Sequence, residues 1–138
     1  VANAVPEHAW CKVDVRFSKS EGIERIDRDF KDIAARQYVN DTTTTVKPLI
    51  VFPAMERLPA SEALFARAEA IAETYHFPKM KAIAVGGGSD SANLTAVGIP
   101  TLCALGVKGE FNHTEREWAD EASLYERTKL LMAFLCEL

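Results

Sequence analysis

The stretch KAIAVGGGSDSANLTAVGIPTLCALGV, residues 81–107, sets three glycines and then Ser89-Asp90 where an apolar run stops and a helix-compatible run begins. Residues 81–87 read as a buried strand, residues 89–97 as a short helix stopped by Gly98 and Pro100, and TLCALGV as a second buried strand. Two strands joined through a helix are normally parallel with a right-handed crossover, so the loops leaving both lie along one carboxyl edge of the sheet. This predicts that the glycine turn and the loop KGEFNHTERE, residues 108–117, sit side by side, with His113 in the crevice where open α/β sheets bind ligands.

Glycines at such a junction let something come close to the backbone. A nucleotide P-loop needs a Lys-Ser/Thr pair at the helix start, and here Ser89 and Asp90 hold that place, with a carboxylate that would repel phosphate. A dinucleotide turn could use Gly86-x-Gly88, with Glu110 about twenty residues on to meet a ribose hydroxyl. Ser91 stands where that motif wants its third glycine, and only one strand follows the turn. A purely structural role also accounts for the glycines, which would then permit positive φ and tight helix–sheet contact.

Downstream of this unit, Ser123 and Glu126 have capping-box spacing, and the helix they open is expected to bury Leu124, Leu131, Phe134, Leu135 and Leu138. Upstream, Ser61 can cap a helix with Leu64, Ala68, Ile71, Ala72 and Tyr75 inward, ended by His76-Phe77-Pro78. Pro53 and Pro59 bracket AMERL and mark the boundary with an earlier unit. In that unit HAWCKVDVRF, residues 8–17, alternates as a half-buried strand: Cys11, Val13, Val15 and Phe17 face one way, Lys12, Asp14 and Arg16 the other. Ile23, Ile26, Phe30 and Ile33 recur at helical steps, and TTTTVKPLIVF, residues 42–52, reads as a second strand with Pro48 at an edge or bulge. The expected organisation is α/β: a strand-helix-strand unit over residues 1–53, then a mixed or parallel α/β segment over residues 54–138.

The chain of 138 residues is 48% hydrophobic and 26% charged, an ordinary globular composition that needs no disordered reading. Its net charge of −4 and scattered basic residues argue against nucleic acid or an anionic membrane as partner, and favour a small molecule or peptide. No run approaches the ~20 apolar residues of a membrane span, and no signal-peptide pattern opens the chain. Cys11, Cys103 and Cys136 are odd in number, widely spaced and set in apolar patterns, so they read as buried free thiols of a cytoplasmic protein. The start at Val1 without methionine is consistent with an upstream portion having been removed.

Taken together, GGGSDSANL, GIPTLCALGV and FNHTEREWADEASLYERTKLL resemble the C-terminal part of the zinc-dependent amidohydrolases that include acetylornithine deacetylase, succinyl-diaminopimelate desuccinylase, aminoacylase and glutamate carboxypeptidase. In that family a Gly-Gly-Gly-Thr/Ser-Asp turn, a Gly-Ile-Pro-Thr strand entry and a His-Thr/Ser-x-x-Glu stretch before a Ser-Leu-x-x-Arg helix occur in this order. NAVPEHAWCKVDVRF, residues 3–17, is similar to the family's Asn-x-x-Pro…Asp-x-Arg strand in the lid, or dimerisation, domain. The resemblance implies that residues 1–53 are the C-terminal half of that lid and residues 54–138 the C-terminal segment of the catalytic domain. It implies that His113 ligates one of two zinc ions, and that Arg16 holds a substrate carboxylate. It further implies that Asn3 reaches the site, and that Gly87, Gly88 and Ser89 line the substrate pocket. From alternation alone, Arg16 reads first as an outward strand residue paired with Asp14 or a neighbour, and Asn3 reads nearly as well as a turn residue before Pro6. Asp90 reads as a first-turn residue favoured by the helix dipole, and His8 and His76 as surface residues.

The departures define the rest of the expectation. The family's His-x-Asp pair, bridging Asp and Glu-Glu pair precede the lid, and neither a His-x-Asp nor a Glu-Glu occurs in this sequence. No catalytic residue is therefore expected in this segment, its general-base Glu lying upstream, and missing sheet neighbours would come from an absent segment or another chain. The implied parent is a cytoplasmic zinc hydrolase acting on small N-acyl amino acids or peptides as a homodimer through its lid, with the isolated segment inactive. The alternative is a non-catalytic binding or dimerisation module derived from the same family.

Overall fold

Four helices and one short hairpin form the regular structure among the described residues, 3–48 and 51–137, of the computed structural model. The first helix, α1 (Gly22–Ala35), forms as expected: Ile23, Ile26 and Phe30 are half-buried, though Ile33 of the same expected face is exposed, and Asp27–Lys31 and Arg25–Asp29 pair one turn apart on the outside. Helix α2 (Pro59–Thr74) starts with proline in its first turn, where a missing N–H costs nothing. Ser61, expected as its cap, instead lies inside the first turn and accepts the N–H of Thr101 at 3.1 Å. Helix α2 ends with Phe77 N–H bonded to Ala72 O at 2.8 Å and His76 N–H to Glu73 O at 3.1 Å, His76 taking φ +56°. Helix α3 (Ser91–Ala96) ends the same way, with Gly98 at φ +82° where a left-handed residue is required.

A hairpin of β1 (Gly109–Glu110) and β2 (Trp118–Ala119) pairs Gly109 with Ala119 and Glu110 with Trp118, antiparallel. It runs directly into α4 (Glu121–Glu137), capped by Asp120, whose Oδ1 accepts the N–H of Ala122 at 3.0 Å. Ser123 is therefore not the cap. Its Oγ accepts the N–H of Lys108 at 2.9 Å and donates to Asp120 O at 2.7 Å, pinning the first turn to the hairpin. Phe134 is buried as expected, but Leu124, Leu131 and Leu135 are exposed, and Ser123 and Leu130 are the residues buried beside it. Leu138, also expected inward, lies outside the described residues.

The core lies between α2 and α4, where Ala68, Ile71 and Ala72 meet Leu130 and Phe134, with Phe77, Met80, Leu102 and Leu105 packed at its edge. Tyr75, expected inward, is exposed; its hydroxyl donates to Glu137 Oε1 at 2.7 Å, and that carboxylate raises the phenol pKa.

The expected parallel sheet is corrected. Residues 8–17, 42–48, 81–87 and 101–107 make no backbone–backbone hydrogen bond among the described residues, and the hairpin is the sheet there. Leu49 and Ile50 of the second expected strand fall outside the described residues. An unpaired strand leaves its backbone polar groups to water and buries little, and Val13, Ile83 and Val85 are correspondingly 60–73% exposed. The observed architecture is mostly helical, with strand-patterned segments that lack partners. Cys11, Cys103 and Cys136 are free as expected, but exposed and not buried. Among the described residues no helix is long and apolar enough to cross a membrane.

Candidate functional site

Asp14 and Arg16 are two residues apart on a segment of strand-like alternation, a spacing that directs side chains to the same side. Asp14 Oδ2 accepts from Arg16 Nη2 at 2.8 Å and from Nε at 3.3 Å. The hydrogen bond, and then the charge, of Arg16 hold the Asp14 carboxyl below its usual pKa, and Asp14 raises that of Arg16 in return. Both side chains are more than half exposed, so the pair orders the guanidinium more than it stabilises the fold.

Arg16 also reaches across 70 residues of chain, its Nη1 donating to Gly86 O at 2.7 Å. A Cβ on Gly86 would stand 3.1 Å from Nη1 and 3.4 Å from Arg16 Cδ, and one on Gly88 would lie 3.7 Å from the Phe52 ring. None of the three glycines has positive φ, so the structural role expected from backbone freedom does not explain them. Close approach accounts for Gly86 alone, where Arg16 rests on the turn; a Cβ on Gly88 would make ordinary contact with the Phe52 ring, and one on Gly87, between them, would meet open space.

Ser89 stands where the turn enters α3. Its Oγ lies 3.0 Å from Cys103 Sγ and accepts the N–H of Ser91 at 3.2 Å. Hydrogen bonding by Ser89 first, then by Ser91 and the Ala104 backbone, lowers the Cys103 pKa against the opposing effect of burial. Sequence reading took Cys103 as a buried free thiol and did not place it at the turn, since its partner becomes visible only when the Ser61–Thr101 bond holds the 101–105 segment. Asp90 occupies the N-cap position of α3 and makes no side-chain capping bond.

His113 lies in the hairpin loop, at φ +65°. Its N–H donates to Glu117 Oε2 at 3.1 Å, Thr114 Oγ1 donates to Phe111 O at 2.7 Å, and the Arg116 guanidinium lies 4.7 Å from the centre of the Phe111 ring. These bonds hold the backbone of an exposed histidine whose imidazole has no hydrogen-bond partner among the described residues. The loop is tied to α4 through Lys108 Nζ and Glu126 Oε1 at 3.0 Å, and no hydrogen bond among the described residues joins it to the glycine turn. Asn3 is exposed in a turn and makes no hydrogen bond among the described residues. The structure thus brings Arg16 to the glycines and leaves His113 and Asn3 apart from that contact.

Residues 19–137 match peptidase family M20/M25/M40. The chain belongs to this family. The M20 match spans the glycine turn, the His113 loop and α4, and begins just after Arg16, so Asn3 and Arg16 rest on the strand motif alone. No curated protein and no solved structure matches the chain. Members of the M20 family are metallopeptidases, typically zinc-dependent, and a protein zinc site takes about three or four ligands. Among the described residues no three His, Cys, Asp or Glu side chains form a group that could hold a metal ion. His113 can give one nitrogen, and the residues present do not by themselves fit a zinc centre.

Proposed function

We propose that this chain supplies the substrate side of an M20 zinc hydrolase that cleaves an amide or peptide bond next to a substrate carboxylate. The observation that carries the reading is the Arg16 guanidinium laid on the backbone of the glycine turn, in a chain of a metallopeptidase family. In this reading Arg16 takes the carboxylate of a small N-acyl amino acid or peptide, and the open face of Gly87, with Gly88 and Ser89, lies along the acyl or peptide backbone. Asn3 reaches the scissile group. His113 contributes one ligand to a metal centre whose other ligands and general base come from outside these residues. The apolar side of residues 8–17, carrying exposed Val13 and Val15, is left for a second copy of the chain, making the enzyme a cytoplasmic dimer.

The chain by itself is then inactive. Purified and supplied with zinc, it is expected to release no amino acid from N-acyl amino acids or dipeptides above the buffer rate. Robust zinc-dependent turnover by these 138 residues would overturn the assignment of the base and remaining ligands to other segments. In an enzyme that carries the complete set of family motifs together with this sequence, His113→Ala is expected to lower bound zinc per chain. Unchanged zinc content there would remove His113 from the ligand set.

A further inference from the structure

We propose that Asp14 is a positioning residue that fixes the Arg16 guanidinium so that it presents one free edge to a single carboxylate. The inference rests on the reading of Arg16 as the carboxylate group's partner and adds what sets its direction. A guanidinium has five N–H donors in a rigid plane. Asp14 Oδ2 takes one from Nε and one from Nη2, and the Gly86 carbonyl takes one from Nη1. One hydrogen remains on each terminal nitrogen, the count that two carboxylate oxygens require.

Arg16 is a long side chain, more than half exposed, with several rotatable bonds. Held at one edge by Asp14 and at one terminal nitrogen by Gly86 O, it loses that freedom before a ligand arrives. The ligand then need not pay for ordering it. Asp14 and Arg16 also sum to zero charge, so an incoming anion is held by directed hydrogen bonds more than by net attraction. A second negative charge on the ligand would face the Asp14 carboxylate without a matching cation from this pair.

The test uses the full chain, the arginine Nε–H region of its proton–nitrogen NMR spectrum, and N-acetylglycine as the probe. Without ligand, the Arg16 Nε–H signal is expected to stand apart from those of solvated arginines, to collapse onto them in D14A and to survive in D14N, whose amide oxygen still accepts. With N-acetylglycine, D14A should bind about three- to tenfold more weakly, the worth of one pre-ordered long side chain, and D14N within about twofold of the unaltered chain. A D14A chain that binds as well as the unaltered one, or a D14N chain as weak as D14A, would refute the positioning role. Tighter binding of inorganic phosphate than of N-acetylglycine would refute the preference for a single charge. R16A separates the two layers: if it binds N-acetylglycine normally, or if the unaltered chain shows no saturable shift, the carboxylate reading itself fails. Loss of binding in R16A with an unaffected D14A sinks the Asp14 inference alone.

Discussion

Replacing Gly109 by alanine should open the hairpin that carries His113 and leave the helical core standing. A Cβ at position 109 would lie 2.2 Å from the Trp118 carbonyl oxygen, 3.3 Å from its carbon and 3.4 Å from Ala119 Cα, all backbone atoms with no flexible end to swing aside. Non-bonded heavy atoms sit about 3.5 Å apart, so one strand must retreat by roughly 1.3 Å. The Asp120 N–H to Lys108 O bond, 2.8 Å long, cannot survive such a displacement, nor can the Glu110–Trp118 pairing beside it. Two or three backbone hydrogen bonds at roughly 0.5–1.5 kcal/mol each put the local cost at about 1–4 kcal/mol. Hydrogen exchange at the Asp120 amide should accelerate by about fivefold or more, since each 1.4 kcal/mol of lost protection is a factor of about ten. Gly87→Ala is the control, because a Cβ there meets nothing within 4 Å. If the Asp120 amide exchanges equally slowly in both variants, the close approach of β1 to the Trp118 carbonyl is not what shapes this loop.

Phe134→Ala should cost about 3–5 kcal/mol of unfolding free energy and Leu135→Ala less than about 0.5 kcal/mol, because Phe134 is 3% exposed and its neighbour 82%; urea titration of the pair checks this. His76→Gly should raise stability by about 1 kcal/mol, since the left-handed position that closes α2 penalises a Cβ; a lower urea midpoint would contradict it. Ser89→Ala should move the onset of Cys103 alkylation to higher pH, because the Ser89 hydroxyl is the leading cause that favours the thiolate. An unchanged pH profile would break the Ser89–Cys103 assignment.

Helices were legible where one face repeats apolar residues and local chemistry marks the ends. The Ile23-Ile26-Phe30 spacing gave α1, and Gly98 with Pro100 stopped α3. The inward face of α4 was legible at Phe134 but not at Ser123, which offers the same oxygen to a helix cap or to a distant backbone N–H. The Lys108 bond that decides between them is a tertiary fact. Strand patterns at residues 8–17 and 81–87 state which side chains want burial, but pairing is a property of neighbours, and no neighbour among the described residues takes up their backbone hydrogen bonds. At the site, alternation put Asp14 on the same side as Arg16 and so among its candidate partners, and the structure pairs them. The bond from Arg16 to Gly86 could not, since it joins segments 70 residues apart.

The packing of α4 by one side only has a practical consequence. It leaves Leu124, Tyr125, Met132 and Leu135 on one outward arc of a helix that is fully formed and packed on its other side. A hydrophobic dye such as ANS should therefore fluoresce with the native chain. Dye binding, usually taken as the mark of a molten state, would here report a folded helix wearing its oily side outward.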